Sequence, residues 1–277
     1  MRLSKLSVLT FLPSLISAHG RITNISTSSG AVYEGWDPET ALESINLPPL
    51  AAWSASNLGN IFVPPSSFNS SDITCHFNAT PGALHVNAST GDILRFQWNE
   101  WPVSHKGPVL TYLAACNASC ANVDKDKLHW VKIDQLGWLN SSGIESLGGT
   151  WASDILIAQN FAWNVKIPEG LAQGDYVLRH EIIALHVANE LDGAQAYPQC
   201  VNLRVQNEGG EKKTERGVVG SELYGEKDKG ILVDIHGKID GYEIPGPLVW
   251  SGATSYKQPG QRKRNVQSTN HYRRRLR

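Results

Sequence analysis

The sequence predicts an all-β protein, an antiparallel sandwich with long loops. Three observations predict it: short runs in which apolar and polar residues alternate, Gly-Asp turns that feed those runs, and cysteines placed to bridge distant strands. Sustained helical periodicity is scarce, and no internal repeat is present.

Taken in chain order, residues 1–18 read as a secretory signal peptide. Arg2 and Lys5 supply positive charge, Leu6 to Ile16 is mostly apolar, and Ser17-Ala18 offers the small residues a signal peptidase needs. The apolar run is shorter than the roughly 20 residues that span a bilayer, so the product is expected to be secreted, extracellular and free of membrane. Gly35 to Asn60 is a long loop rich in Gly, Pro, Ser and Asn. Thr90-Gly91-Asp92 is a turn into a strand, Asp92 to Trp98, where Leu94, Phe96 and Trp98 alternate with Ile93, Arg95 and Gln97. Asp124 to Val131 is expected to form a short turn of helix. Phe161 to Ile167 alternates like the first strand, and Gln173-Gly174-Asp175 turns into a third, Tyr176 to His186. A fourth strand runs through Val201, Leu203 and Val205, followed by a long loop from Asn207 to Gly230.

Removing the leader leaves 259 of the 277 residues, at the upper end of a single sandwich, and the main domain is expected to span 19–252. Residues 253–277 form a basic tail, and its polar stretch from Lys257 to Arg277 is expected to be disordered. The overall charge of −1 conceals an asymmetry: eight Lys/Arg and no acid lie from Ser251 on. With two more bases in the leader, fifteen basic residues face 26 acidic ones between His19 and Trp250, a net of about −11. A folded part this acidic argues against nucleic acid as a partner. The four cysteines suggest two disulfides. Cys116 and Cys120 can close only a tight local loop, which leaves Cys75 to pair with Cys200. Asn24, Asn69, Asn78, Asn87, Asn117 and Asn140 head Asn-x-Ser/Thr acceptors for glycosylation.

Cleavage after Ala18 makes His19 the first residue. Its α-amine, with a reference pKa of about 7.7–8.0, and its ring Nδ1 can then close a chelate on one metal ion. The best further ligand is His105, in Trp101-Pro102-Val103-Ser104-His105-Lys106-Gly107-Pro108. Gln195 and Tyr197, two apart, project to one side if that stretch is extended. Two imidazoles and an amine suit copper by donor type and by its rank in the divalent affinity order. A phenol held on the axis leaves a position open for dioxygen or peroxide. Most of the nine histidines, among them His76, His85, His129 and His236, read as structural or surface groups, while His180 and His186 lie on the same side of one strand.

A set of motifs then brings a family into view. They are His19-Gly20, Gly35-Trp36-Asp37-Pro38, Thr74-Cys75-His76-Phe77-Asn78-Ala79-Thr80-Pro81-Gly82-Ala83, Ser104-His105-Lys106-Gly107-Pro108-Val109 after Trp101-Pro102, Tyr112-Leu113-Ala114, Leu178 to His186, Gly193 to Leu203, and Ile244-Pro245-Gly246-Pro247. In order and spacing the chain resembles the fungal lytic polysaccharide monooxygenases of auxiliary activity family 9, formerly glycoside hydrolase family 61, from His19 to about Gly252. The resemblance implies an immunoglobulin/fibronectin-like sandwich that binds one copper ion on a flat face. It implies that His19 and His105 hold the metal, with Tyr197 axial. His186 and Gln195 orient the oxygen or hydrogen peroxide co-substrate and its protons. It agrees with disulfides Cys75–Cys200 and Cys116–Cys120. The implied activity is oxidative cleavage of cellulose or a related β-glucan at carbon 1 and/or carbon 4, by a monomer that draws on an external electron donor. Tyr242 is the candidate ring for stacking on sugar, with Trp36 a weaker one and more at home in the core.

Other activities fit less well. A glycoside hydrolase needs two carboxylates about 5–9.5 Å apart, and no pair stands out; Glu181 is a lone candidate. His180-Glu181 lacks the second histidine of a zinc protease, since Ala184 occupies its place. The alternative reading is a secreted copper-binding protein of the same ligand set without oxygenase activity, which has no need of an oxygen-handling pair.

Overall fold

The structure is a computed structural model and describes residues 20–44, 46–56, 58–59, 61–116, 118–141, 147–206, 210–214 and 217–261. The leader, His19, Asn117 and residues 262–277 lie outside the described residues. In chain order the strands are β1 (Ile22–Ser26), β2 (Val32–Glu34), β3 (Val86–Ala88), β4 (Ile93–Trp98), β5 (Val109–Ala115), β6 (His129–Leu136), β7 (Trp138–Asn140), β8 (Thr150–Trp151), β9 (Ala162–Lys166), β10 (Gly174–Ala184), β11 (Gln195–Val205) and β12 (Val218–Val219). They form a four-stranded sheet in the order β2-β1-β4-β9, a six-stranded sheet in the order β12-β6-β5-β10-β11-β3, and a small β7-β8 pair.

The fold is thus the all-β sandwich the alternation predicts, with one departure: β3 runs parallel to β11. The alternating runs at 92–98 and 161–167 become β4 and β9, which pair with each other antiparallel, Leu94 opposite Val165 and Phe96 opposite Trp163. Asp124 to Val131 holds only a single 3-10 turn, Lys125–Lys127, before the chain enters β6 at His129.

The six-stranded sheet is buried on both faces. Its inner face, with Val109, Leu113, Leu178 and Ile182, packs against Leu94, Phe96, Trp98 and Trp163 of the opposite sheet. Its outer face, with Leu110, Tyr112, Val177 and Ile183, is roofed by loop residues including Trp53, Phe68 and Tyr224 and by Trp151 of β8. The long loops are therefore a second core layer rather than solvent-exposed connections. Cys75 is bonded to Cys200, closing a separation of 125 residues and tying this roof to β11, and Cys116 is bonded to Cys120. A closed loop that long removes far more freedom from the unfolded chain than the four-residue one does.

The folded part also runs past the boundary expected at residue 252. Ala253 packs on the inner core, and the buried Gln258 side chain reaches the outer strand β9. There its amide donates to the Asn164 carbonyl at 2.7 Å and its oxygen accepts from the Asn164 N–H at 3.3 Å. Those bonds give a polar segment a fixed place despite its composition. No helix among the described residues is long and apolar enough to cross a membrane.

Candidate functional site

The site begins where the β5–β10 ladder ends. Its last pair is Val109 with Ile182, but the two chains stay side by side beyond it. The Ile183 N–H donates to the Pro108 carbonyl at 3.2 Å and the Leu185 N–H to the Lys106 carbonyl at 2.8 Å. Gly107 permits this approach, because a Cβ there would run into the Ile183 carbonyl oxygen. Continuing the register four residues past that pair sets His105 opposite His186, and their ring centroids lie 4.0 Å apart at 32°. His186 therefore sits in the turn after β10, not on the strand where the sequence had placed it.

Local bonds fix the His105 loop. The His105 N–H closes a turn onto the Pro102 carbonyl at 3.0 Å, and the Trp101 indole N–H donates to the His105 carbonyl at 2.8 Å. Ser104 Oγ lies 3.2 Å from His105 Nδ1. A proton on Nδ1 in that contact leaves a lone pair on Nε2 for a metal. Lys106 is ion-paired with Asp154, whose other oxygen accepts from the Trp151 N–H at 2.8 Å at the start of the short helix Ala152–Ala158. The loop is thereby pinned to a helix end.

Strand β11 begins at Gln195, six residues earlier than the Val201 to Val205 pattern reached, so Gln195 and Tyr197 lie on it as alternate residues of one face. Tyr197 is 1% exposed, and burial pushes its phenol well above the usual range, keeping it neutral. Its hydroxyl donates to Gln195 Oε1 at 2.8 Å. Trp101 is the hub that sequence reasoning missed: its ring meets Tyr197 edge-on at 5.0 Å and His105 at 5.9 Å. Phe62, for which the sequence carried no signal, packs 6.2 Å from Tyr197.

Among the described residues no group of three or more His, Cys, Asp or Glu side chains can hold a metal. The further donors that the sequence predicts for a metal at His105 are the Tyr197 phenol and the ring and terminal amine of His19. His19, which would bring that amine, lies outside the described residues.

Tyr242 is half-buried at the edge of the roof cluster, where its hydroxyl donates to the Gly230 carbonyl at 2.7 Å and its ring meets Trp151 at 4.8 Å. Trp36 is half-buried with its indole N–H on the Ala55 carbonyl at 2.9 Å. Of the glycosylation candidates, Asn69, Asn78 and Asn87 are exposed, while Asn24 and Asn140 are half-buried.

Two other histidines are structural and respond to acid. His180 is fully buried, stacked on Phe96 at 4.8 Å with its Nδ1 2.9 Å from Thr111 Oγ1. His76 Nε2 lies 3.1 Å from the Ile61 carbonyl, steadying the loop that carries Phe62. Burial lowers their pKa values to about 3 for His180 and about 4 for His76. The unfolded chain takes up these protons below about pH 6.5 while the folded one does not, so both histidines destabilise the fold as pH falls from there. Asp134, raised by burial to about 6, acts with the opposite sign: the stability it contributes is full below its unfolded value and lost as pH rises through 6. Two groups outweigh one. Urea unfolding should show stability falling by roughly 2–4 kcal/mol between about pH 7 and pH 4.5, and His180→Gln should remove most of that fall, because Asp134 offsets much of what His76 contributes. An unchanged pH difference in the variant would refute the assignment.

Comparisons with known proteins show the family of the chain. A model of the family described as Auxiliary Activity family 9 (formerly GH61) matches residues 19–242. The chain is 46% identical to AA9 family lytic polysaccharide monooxygenase A of Talaromyces verruculosus, over 92% of this chain and 76% of that protein. It is 44% identical to the family's monooxygenase I of Botryotinia fuckeliana, over 89% and 90%. Among solved structures, the extended catalytic domain of H. jecorina LPMO9A superposes with a TM-score of 0.80 at 45% identity, covering 87% of this chain and 94% of that one. A cellulose-active polysaccharide monooxygenase from M. thermophila gives 0.72 at 28%, covering 85% and 100%.

Proposed function

Because the chain belongs to auxiliary activity family 9, the copper-dependent lytic polysaccharide monooxygenases, we propose that it is secreted and cleaves β-1,4-glucan chains of the cellulose type. It hydroxylates carbon 1 and/or carbon 4 at the glycosidic bond, using oxygen or hydrogen peroxide and an external reductant. The observation that carries this reading is that two pairs, His105 with His186 and Tyr197 with Gln195, meet on either side of Trp101, which packs against both His105 and Tyr197. A protein that only stored metal would have no use for His186 and Gln195 beside the ligands.

The donor set fits copper: an imidazole Nε2 at His105, a neutral phenol at Tyr197, and the amine and ring of His19 once the leader is removed. Copper, when bound, supplies one-electron redox chemistry toward the oxygen co-substrate. The chain does the rest. Tyr197 spends its proton on Gln195 Oε1, which would leave the phenol oxygen as the group offered to a metal and the Gln195 NH2 as a donor. His186, whose ring lies 4.0 Å from that of His105 at 32°, would hold a ring N–H to give a proton to the oxygen co-substrate. With dioxygen, the balance is one oxygen atom into the C–H bond and one into water, at the expense of two electrons and two protons. Peroxide needs neither added. The hydroxylated carbon then expels its neighbouring sugar: carbon 1 becomes a lactone, carbon 4 a ketone.

Copper-loaded protein incubated with cellulose and ascorbate should release oxidised oligosaccharides. His186→Ala and Gln195→Ala should still bind copper while product falls by about 10–100-fold, the usual loss when a partner beside a metal ligand is removed. Turnover equal to the parent would refute those two roles, and a parent that binds copper without product would return the protein to the carrier class.

A further inference from the structure

The residues that lead toward position 19 are held more tightly than strand pairing requires. Before β1 settles into its ladder, Asn99 grips Arg21 from both sides: its Oδ1 accepts the Arg21 N–H at 2.8 Å and its own N–H donates to the Arg21 carbonyl at 3.0 Å. The next amide goes elsewhere. Ile22 N–H donates 2.8 Å to Gln199 Oε1, a side chain from the opposite sheet that is 6% exposed. The Arg21 guanidinium is in turn ion-paired with Asp37 at 2.6 Å. Gly20 lies so close to the backbone of residue 100 that a Cβ would run into the Glu100 carbonyl oxygen.

Gln199 is no ordinary core residue. Its Oε1 is fixed by the N–H it accepts, which leaves Nε2 buried without a partner among the described residues. Keeping a half-satisfied amide in a core costs stability, and a Leu or Met would fill the space without that cost. The acceptor therefore has a task. Gln199 stands on β11 two residues from Tyr197 and on the same face, about 7 Å away along the strand. Ile22 stands three residues from position 19, a reach of at most about 10 Å. The one bond between Gln199 and Ile22 thus joins, by two short arms, the strand that carries the phenol to the chain that carries the terminal amine.

We propose that Gln199 and Asn99 are positioning residues for the metal centre: their side-chain oxygens take the amide protons of consecutive residues, Ile22 and Arg21, and so set where the chain before them arrives relative to Tyr197 and His105. This rests on the reading above that residue 19 brings metal donors.

The test uses the secreted, processed protein. Gln199→Met removes the acceptor at near-constant volume, Gln199→Glu keeps one, and Asn99→Ala and Asn99→Asp do the same at the surface. Copper(II) affinity by calorimetry, the frozen-solution resonance spectrum and the melting temperature of the metal-free protein are measured for each. Gln199→Met should weaken copper by about 10–100-fold and Asn99→Ala by about 3–10-fold, with a second copper species in the spectrum, and the acceptor-keeping variants should recover parent-like affinity and spectrum. If Gln199→Met matches the parent in both, or if affinity merely tracks melting temperature and Glu does not rescue it, the inference is overturned while the copper reading stands. A parent that shows no nitrogen-coordinated copper overturns both.

Discussion

Arg179→Met is expected to destabilise the protein by about 3–5 kcal/mol, whereas the double replacement Arg179→Met with Glu181→Leu should recover most of that loss. Both side chains are 0% exposed, two residues apart on the outer face of β10, and form a two-pronged ion pair, with Nη2 and Oε2 2.8 Å apart. The guanidinium also donates to the carbonyls of Ile73 and Thr74, each at 2.8 Å. Those are the end carbonyls of the short helix Asp72–Cys75, which has no later turn to satisfy them. Glu181 in turn accepts from the Tyr224 hydroxyl, which lies 2.8 Å from that of Tyr112. Burial and the adjacent carboxylate push both phenols above their usual range, so they remain donors at any relevant pH. Removing the arginine alone strands a carboxylate in a roofed, fully buried layer and orphans two carbonyls. Removing both charges strands only the carbonyls and phenols. Urea midpoints for parent, both single variants and the double variant give the coupling directly. A single replacement costing under about 1 kcal/mol would mean that water reaches the pair. Copper affinity should stay within a few-fold of the parent, because this network faces away from His105 and Tyr197.

The second large effect is on the metal. His105→Ala should reduce copper affinity by more than about 100-fold, since losing even a residue that merely supports a ligand costs 10–100-fold, and oxidised oligosaccharides should fall to background. The fold should survive. His105 sits 9% exposed at a loop end, and its backbone bonds to Pro102 and Trp101 do not involve the imidazole. His186 lies at stacking distance from the lost ring but beyond the end of β10, and it is not expected to substitute. Calorimetric titration and product analysis on the same sample test this. Retained affinity with retained product would remove His105 from the ligand set.

How far these features were legible depends on which faces of a strand meet water. β4 and β9 alternate because one side of their sheet is half-exposed, and both were read correctly. β5 and β6 are buried on both sides, which erases the period-two signal, and neither was found. The same double burial hid the first half of β11. The residue types of the proposed site stood out in the sequence: His105, Tyr197, His186 and Gln195 by kind and by the motifs around them. Only the resemblance brought them together, because the approach of His105 to His186 follows from register carried past the β5–β10 ladder and from Gly107, neither of which is local. Gln199 and Asn99 act only across long separations, so no local pattern marks them.

The Gln258 side chain has a consequence for solubility. β9 is the outermost strand of its sheet, and an outermost strand offers bare amide and carbonyl groups that another molecule's strand can add to. By occupying both groups of Asn164, Gln258 plugs that socket from within. A version of the enzyme trimmed back to residue 252 would keep every group proposed to touch copper, yet it would leave this border open to lateral stacking between neighbouring molecules. The stretch just after the sandwich thus covers part of an edge to which a second copy could otherwise add.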